Sequence, residues 1–204
     1  MRVFGRVWVA LAIALGAAAG VVAQYLRQMV GPVGVLGGST ALWITLGYVL
    51  AWRAVHGRAW LQGWLRATAV MAAYLMAWVI TYHTVFAVRE QVGFASAWYE
   101  ARPWLVVLAP AAALLGLIAT GSSKRGPLGE VCLALPVAWS LPEAAAALDL
   151  GLLCFAIVCV PTIAVALVPL CAERPRGLSR VTVLATVVLG AVAVYYGLRY
   201  TAGW

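Results

Sequence analysis

Long uncharged apolar runs separated by short polar segments are the main pattern along this chain. Six clear runs are each about as long as a helix needs to cross the roughly 30 Å hydrocarbon core of a bilayer: Val7–Leu26, Val33–Trp52, Ala67–Val88, Trp104–Ser123, Leu150–Cys171 and Val181–Leu198. None has the alternation of apolar and polar positions that is typical of barrel strands. Backbone hydrogen bonds inside lipid must be made within the protein, so the pattern predicts transmembrane helices.

A seventh candidate span, Leu128–Leu148, is interrupted by two glutamates and two prolines. The basic residues favour counting it. With seven spans, ten of the 14 Lys and Arg residues fall on one side, and the positive-inside rule places that side and the N-terminus in the cytoplasm. With six spans, the alternative, the groups around Lys124 and Arg174 would fall on opposite sides.

The composition supports a membrane protein and excludes a soluble globular domain. Hydrophobic residues make up 65% of the chain and charged residues only 10%. We therefore predict an all-α, polytopic membrane helix bundle that forms one domain, residues 1–204, in the bacterial cytoplasmic (inner) membrane. Topology and contact with anionic lipids account for the net charge of +8, so nucleic-acid binding is not needed to explain it.

Several kinds of chemistry lack the residues that they need. Asp149 is the only aspartate, so the chain has no aspartate-rich motif to hold magnesium. His56 and His83 fall on opposite sides of the predicted topology, and there is no HExxH motif for zinc. The four cysteines form no CxxC pair. No metal site and no cofactor are predicted.

Acidic residues are few, and Glu143 stands alone in the otherwise uncharged stretch Val131–Leu148. A carboxylate at the centre of a membrane helix costs roughly 2.5–3.5 kcal/mol on insertion scales, so we expect a reason for it. One reason is general-acid chemistry, because an acid in an apolar pocket can stay protonated. The other is a first-turn position after Pro142, where the helix dipole stabilises a negative charge.

Three other acids, Glu90, Glu100 and Asp149, fall with Glu143 toward the predicted outer half. The four acids could line one cavity mouth. Ordinary surface roles are the alternative: salt bridges with neighbouring arginines for Glu90 and Glu100, and a helix cap or loop charge for Asp149.

Aromatic residues recur at helical spacing in the third run, where Tyr74, Trp78 and Tyr82 share one face and His83 lies beside them. Packing between helices explains such a stripe, and an aromatic-lined pocket that stabilises cations is the alternative. Further candidates for that pocket are Trp43, Trp98, Trp104 and Trp139. Acids beside aromatic faces, without a magnesium motif, are what proton-initiated cyclisation of a polyene needs.

Three segments carry a resemblance to known proteins: Gly31–Trp52, Arg89–Trp104 and Pro136–Ala144, whose sequence is PVAWSLPEA. They resemble a family of small actinobacterial integral membrane proteins, which includes the terpene cyclases of indole-sesquiterpene (drimentine-type) pathways. The resemblance implies a metal-free membrane enzyme that cyclises a prenyl (farnesyl) chain attached to an indole or diketopiperazine, beginning with protonation. No catalytic residue is transferred by motif.

The sequence therefore predicts a membrane-bound terpene cyclase of the isomerase or lyase type. Its partners are the lipid bilayer and a lipophilic prenylated small molecule. The alternatives are a small proton-coupled transporter, in which the same acids admit a proton or cation, and a non-catalytic scaffold with a closely packed bundle and no cavity. The candidate catalytic residues are Glu143, Glu90, Glu100 and Asp149; the candidate substrate- or cation-stabilising residues are Trp43, Tyr74, Trp78, Tyr82, His83, Trp98, Trp104 and Trp139.

Overall fold

The computed structural model describes residues 2–172, which form seven helices. They are α1 (Arg2–Arg27), α2 (Pro32–Gly38), α3 (Thr40–Val55), α4 (Trp60–Arg89), α5 (Phe94–Ser122), α6 (Pro127–Asp149) and α7 (Leu152–Ala172). Four helices, α1, α4, α5 and α7, are long and apolar enough to cross a membrane, and α2 with α3 makes a fifth if the bent pair is one span. The chain is thus an all-α, multi-pass membrane protein. The predicted span Val181–Leu198 lies outside the described residues.

The outer surfaces of the long helices are apolar. Leu15 on α1, Val106 on α5 and Val160 on α7 are all exposed, as are many other large apolar side chains. A surface of this kind matches contact with lipid tails, because lipid and not water is the solvent of a spanning helix.

The second predicted span is not one straight helix. It is broken at Ser39, where α2 and α3 meet at an angle of 51°. Ser39 has an extended backbone, and its Oγ accepts a hydrogen bond of 3.4 Å from the Leu42 N–H. Serine is a strong N-cap residue and glycine is a poor helix former, so the glycine-rich sequence before Ser39 favours this break.

The polar segment from Arg89 to Pro103 does not form a long loop. Instead, α4 continues to Arg89 and α5 begins at Phe94, with a tight turn between them. Gln91 in that turn adopts a left-handed backbone with φ of 54°. A 30-residue helix such as α4 is about 45 Å long, which exceeds the roughly 30 Å hydrocarbon core. The polar residues are therefore carried on helix ends that extend toward the headgroup level.

The seventh candidate span, Leu128–Leu148, lies in a continuous helix, α6, which passes through Pro136 and Pro142. Glu143 consequently lies in the last third of α6. The explanation of Glu143 as a first-turn acid after Pro142 is wrong, because α6 begins at Pro127.

Helices α1 and α4 pack in parallel with almost no space between their backbones. A Cβ atom added to Gly16 would lie 2.3 Å from the Tyr74 carbonyl oxygen, and one added to Gly20 would lie 2.6 Å from the Trp78 carbonyl oxygen. Glycines four residues apart are a common way to bring membrane helices into close contact. The contact brings the C-terminal ends of α1 and α4 together.

At that shared end, the side chains of α1 reach those of α4. The Gln28 amide donates a hydrogen bond of 2.5 Å to Glu90, and the Arg89 guanidinium lies 4.3 Å from the centre of the Tyr25 ring. At the opposite end of the bundle, Lys124 Nζ donates a hydrogen bond of 2.6 Å to the Arg58 carbonyl oxygen. The loop after α3 and the loop after α5 therefore meet at one end.

We expect Gly20→Leu to destabilise the bundle, because the larger side chain must force α1 away from the α4 backbone. Overpacking of this kind costs about 1–3 kcal/mol or more. Ala18→Leu is the matched control, since Ala18 lies on the exposed face of α1. Thermal unfolding in detergent, followed by circular dichroism, should show a lower midpoint for Gly20→Leu alone; equal midpoints would contradict the packing.

Candidate functional site

Two cavities lie on either side of the break between α2 and α3. The first, the aromatic cavity, has a volume of about 310 Å³ and is lined by Arg27, Gly37, Gly38, Thr40, Trp78, Val79, Tyr82, His83, Glu100 and Trp104. The second, the Glu143 cavity, has a volume of about 220 Å³ and is lined by Val35, Gly38, Ser39, Glu143, Ala147, Leu150 and Val158. Gly38 lines both cavities, so the break in the helix forms the wall between them.

Three aromatic rings from two helices form one wall of the aromatic cavity. The Trp78 ring centre is 6.4 Å from that of Tyr82 and 6.4 Å from that of Trp104, with tilted and edge-to-face geometries. His83 continues this wall, with its ring centre 5.2 Å from that of Tyr82. Helix α4 supplies Trp78, Tyr82 and His83 from one side, and the start of α5 supplies Trp104. This arrangement presents aromatic surface to whatever occupies the cavity.

The charged groups of the aromatic cavity are Arg27 and Glu100. Arg27 Nη1 donates a hydrogen bond to the Tyr82 hydroxyl, and its guanidinium carbon lies 6.0 Å from the centre of that ring. Within residues 2–172, Glu100 forms no ion pair with Arg27. The cavity thus combines an aromatic wall with one carboxyl group and one guanidinium that do not neutralise each other through direct contact.

The Glu143 side chain accepts hydrogen bonds at the N-terminus of a neighbouring helix, α3. One carboxylate oxygen accepts a hydrogen bond of 2.7 Å from the Ser39 hydroxyl, and the Ala41 N–H lies 2.9 Å and 3.0 Å from the two oxygens. The first N–H groups of a helix have no partner within the helix, and they favour a negative charge beside them. The helix dipole therefore does stabilise Glu143, but the helix is α3 and not α6.

The structure brings five of the twelve candidate residues into the aromatic cavity: Trp78, Tyr82, His83, Glu100 and Trp104. The expectation that four acids line one mouth is not met, because Glu100 and Glu143 lie in different cavities. Glu90 lines neither cavity and accepts its hydrogen bond from Gln28. The side chain of Asp149 lies outside what the structure describes.

The remaining aromatic candidates pack in or against the core of the bundle. Trp43 and Tyr74 are buried, with 5% and 1% of their surfaces exposed. Trp139 Nε1 donates a hydrogen bond of 3.0 Å to Thr45 Oγ1, and its ring meets that of Tyr48 edge to face at 5.8 Å. Trp98 is half-buried on α5 and lines neither cavity described here.

The sequence-based list of candidates omitted Arg27 and the segment Gly37–Thr40. Their positions in the sequence could have identified them, because a basic residue at the end of one apolar run is followed closely by glycines at the start of the next run. Gly38 has no side chain, so it leaves space for a ligand beside the long cationic side chain of Arg27.

Comparison of the chain with protein-family models, with curated proteins and with solved structures finds no match. The site is therefore interpreted from its own geometry. Across residues 2–172, no three His, Cys, Asp or Glu side chains lie close enough together to hold a metal ion. The described arrangement provides an acid, an imidazole, a guanidinium and three aromatic rings around one cavity.

We expect Glu143→Ala to destabilise the fold by about 1–3 kcal/mol, because the Ala41 N–H then loses its partner in a half-buried position. Glu143→Gln should cost less, because its amide oxygen can still accept the hydrogen bonds. A double-mutant cycle with Ser39→Ala, measured by unfolding in detergent, should give a coupling energy of about 0.5 kcal/mol or more. Additive effects would show that the Ser39–Glu143 hydrogen bond contributes nothing.

Proposed function

We propose that the chain is a membrane-bound, metal-free terpene cyclase that acts in the aromatic cavity. Its substrate is a prenyl (farnesyl) chain attached to an indole or diketopiperazine, and the reaction begins with protonation. The observation that carries the proposal is the placement of Glu100 in one cavity with Trp78, Tyr82 and Trp104. An acid beside aromatic faces can start a carbocation and stabilise it.

The Glu100 carboxyl group donates a proton to the terminal alkene of the prenyl chain, where a C–H bond forms from the π electrons of that alkene and a carboxylate remains. The resulting cation is attacked by the π electrons of the next alkene, which forms a ring C–C bond. His83 accepts the final proton as a C–H bond breaks to restore a double bond. The product is an isomer of the substrate, and the proton returns from His83 to Glu100 after the product leaves the cavity.

The geometry favours Glu100 over Glu143 as the proton donor. The carboxylate of Glu143 already accepts hydrogen bonds from Ser39 and Ala41, so its two oxygens are occupied by contacts within the protein. No hydrogen bond of this kind holds Glu100 within the described residues. Glu100 also faces the aromatic rings, whereas apolar residues surround Glu143 in its own cavity.

The cavity volume fits the prenyl chain better than the whole substrate. About 310 Å³ is at the lower end of the roughly 300–1,000 Å³ that small-molecule sites occupy. We propose that the prenyl chain fills the cavity and that the indole or diketopiperazine remains at its mouth. This placement keeps water from the cation while the polar part of the substrate stays at the boundary of the membrane.

A seven-span topology with a cytoplasmic N-terminus is part of the proposal. Helix α6 has 23 residues and is about 35 Å long, which is enough to cross the membrane as a sixth span. The seventh is the span predicted from the sequence at Val181–Leu198, which lies outside the described residues. The contact between Lys124 and the Arg58 carbonyl supports placing both basic loops on one side, in the cytoplasm. The aromatic cavity then opens toward the outer leaflet of the bacterial inner membrane.

Purified protein in lipid should convert a farnesylated indole into cyclised isomers, which mass spectrometry and NMR identify. Glu100→Gln should lower the rate by about 10²–10⁴-fold, because the amide cannot donate the proton. Glu90→Gln is the matched control, since Glu90 is an acid at the same end of the bundle but lies outside both cavities. Absence of product from the wild-type protein, with or without lipid, would overturn the function, and full activity of Glu100→Gln would overturn the assignment.

Gly38→Leu tests whether the cavity is the site of reaction. A Cβ atom at Gly38 meets nothing within 4 Å, so the leucine side chain should enter the cavities without a clash. We expect loss of cyclised product with an unchanged unfolding midpoint. Gly38→Ala is the control and should keep most of the activity, and full activity of Gly38→Leu would place the chemistry elsewhere.

A proton-coupled transporter is the second candidate, and the break between α2 and α3 favours it. Broken helices with cavities at the break are common in secondary transporters. Flux of a substrate driven by a proton gradient in proteoliposomes would support this function, and its absence would count against it. A non-catalytic scaffold with no cavity fits less well, because two cavities flank the break.

A further inference from the structure

We infer that the aromatic cavity contains a second, polar subsite, in which Arg27 binds an anionic oxygen group of an amphipathic ligand. This ligand differs from the neutral indole or diketopiperazine substrate proposed above, and the inference rests on the proposed function only for the prenyl nature of the ligand's chain. The cavity would then bind both parts of its ligand, because the aromatic wall contacts the apolar chain and the guanidinium binds the head group. Arg27 is thereby a specificity-determining residue.

The guanidinium of Arg27 has more hydrogen-bond donors than the protein uses. Arginine carries five N–H donors. The hydrogen bond from Nη1 to the Tyr82 hydroxyl occupies one donor and holds the group at the edge of the cavity. The other donors form no hydrogen bond to another protein side chain among the described residues. They are therefore available to a ligand.

The positive charge of Arg27 also has no direct counter-ion in the described part of the bundle. Glu100 lines the same cavity but forms no ion pair with Arg27. The hydroxyl of Tyr82, the partner of Arg27, is neutral. Guanidinium groups bind carboxylate and phosphate in a planar, two-pronged geometry, so these groups are the complementary ligand chemistry.

The space beside Arg27 is open at Gly38, where an added Cβ atom would meet nothing within 4 Å. Gly37, by contrast, lies against the α1 backbone, where an added Cβ would be 2.1 Å from the backbone nitrogen of Arg27. Both glycines line the aromatic cavity. No side chain of α2 therefore occupies the volume at Gly38, and a head group has room there.

The ligand predicted by this geometry has an apolar chain of prenyl size and a terminal carboxylate or phosphate. The same chemistry occurs in a soluble prenyl acid and in a phospholipid that enters from the membrane. Because the subsite recognises the oxygen group in either case, binding experiments need one probe for each source.

The test compares farnesoic acid with farnesol, which share one chain and differ in the head. Their affinities for the detergent-purified full chain are measured by isothermal titration calorimetry. Wild-type protein should bind the acid at least about tenfold more tightly, as expected for a hydrogen-bonded charge. Arg27→Gln should remove that preference while still binding farnesol. Arg89→Gln is the matched control, because Arg89 lies at the same bundle end over Tyr25 and lines neither cavity.

Equal affinities for the two probes in the wild-type protein, or a preference that persists in Arg27→Gln, would overturn the subsite. Arg27→Lys provides a second variant, which should keep part of the preference because it keeps the charge. Competition by short-chain phosphatidylglycerol in the wild-type protein, lost in Arg27→Gln, would identify a lipid head group as the source. Absence of competition with an intact preference would identify the soluble prenyl acid.

These binding measurements require no turnover, so they separate the two proposals. A preference for the acid without any cyclised product would leave the subsite in place and overturn the proposed function. Cyclised product without a preference for the acid would support the proposed function and overturn the subsite.

Discussion

The hydrogen bonds between Glu143 and the start of α3 make the broken second span possible. A helix that begins at membrane depth leaves its first N–H groups without partners, and each unsatisfied group in lipid costs several kcal/mol. The Ser39 hydroxyl and the Glu143 carboxylate satisfy this end, and they tie α6 to the break. Because the segment at the break forms the wall between the two cavities, the shape of both cavities depends on this contact.

The spans of the bundle could be predicted from the sequence, whereas their interruptions could not. Lipid requires long apolar helices, so the runs that became α1, α4, α5 and α7 are visible without any knowledge of packing. The break at Ser39 depends on Glu143, which is 104 residues away in the chain. The continuation of α5 through polar residues such as Glu100 depends on how far the helix extends beyond the lipid. Hydropathy shows neither the contact of Glu143 with the break nor the extension of α5 beyond the lipid.

The candidate site could likewise be predicted only in part from local sequence patterns, because contacts distant in sequence decide the rest. Helical spacing placed Tyr74, Trp78 and Tyr82 on one face, but it could not say which of them reach a cavity. Gly47 of α3 packs so close to Tyr74 that an added Cβ would be 2.6 Å from its ring, and this contact places Tyr74 in the core. Near Trp78 and Tyr82, the cavity is lined by Gly38, where an added Cβ would meet nothing within 4 Å, and this leaves space. The helix-dipole argument for Glu143 was correct in its physics and wrong about the helix, because sequence shows only the helix that contains a residue.

The close contact between α1 and α4 has a consequence for how the aromatic cavity responds to its contents. With Gly16 and Gly20 against the α4 backbone, neither helix can approach the other further, and the hydrogen bond from Arg27 to Tyr82 joins their ends. The guanidinium and the rings of Trp78 and Tyr82 are thus held in place before any ligand arrives. A ligand loses little affinity to the ordering of such a wall, since the ordering free energy was spent on folding. A ligand that binds as proposed would have to match the shape of a surface that does not adapt to it, in addition to the charge of Arg27.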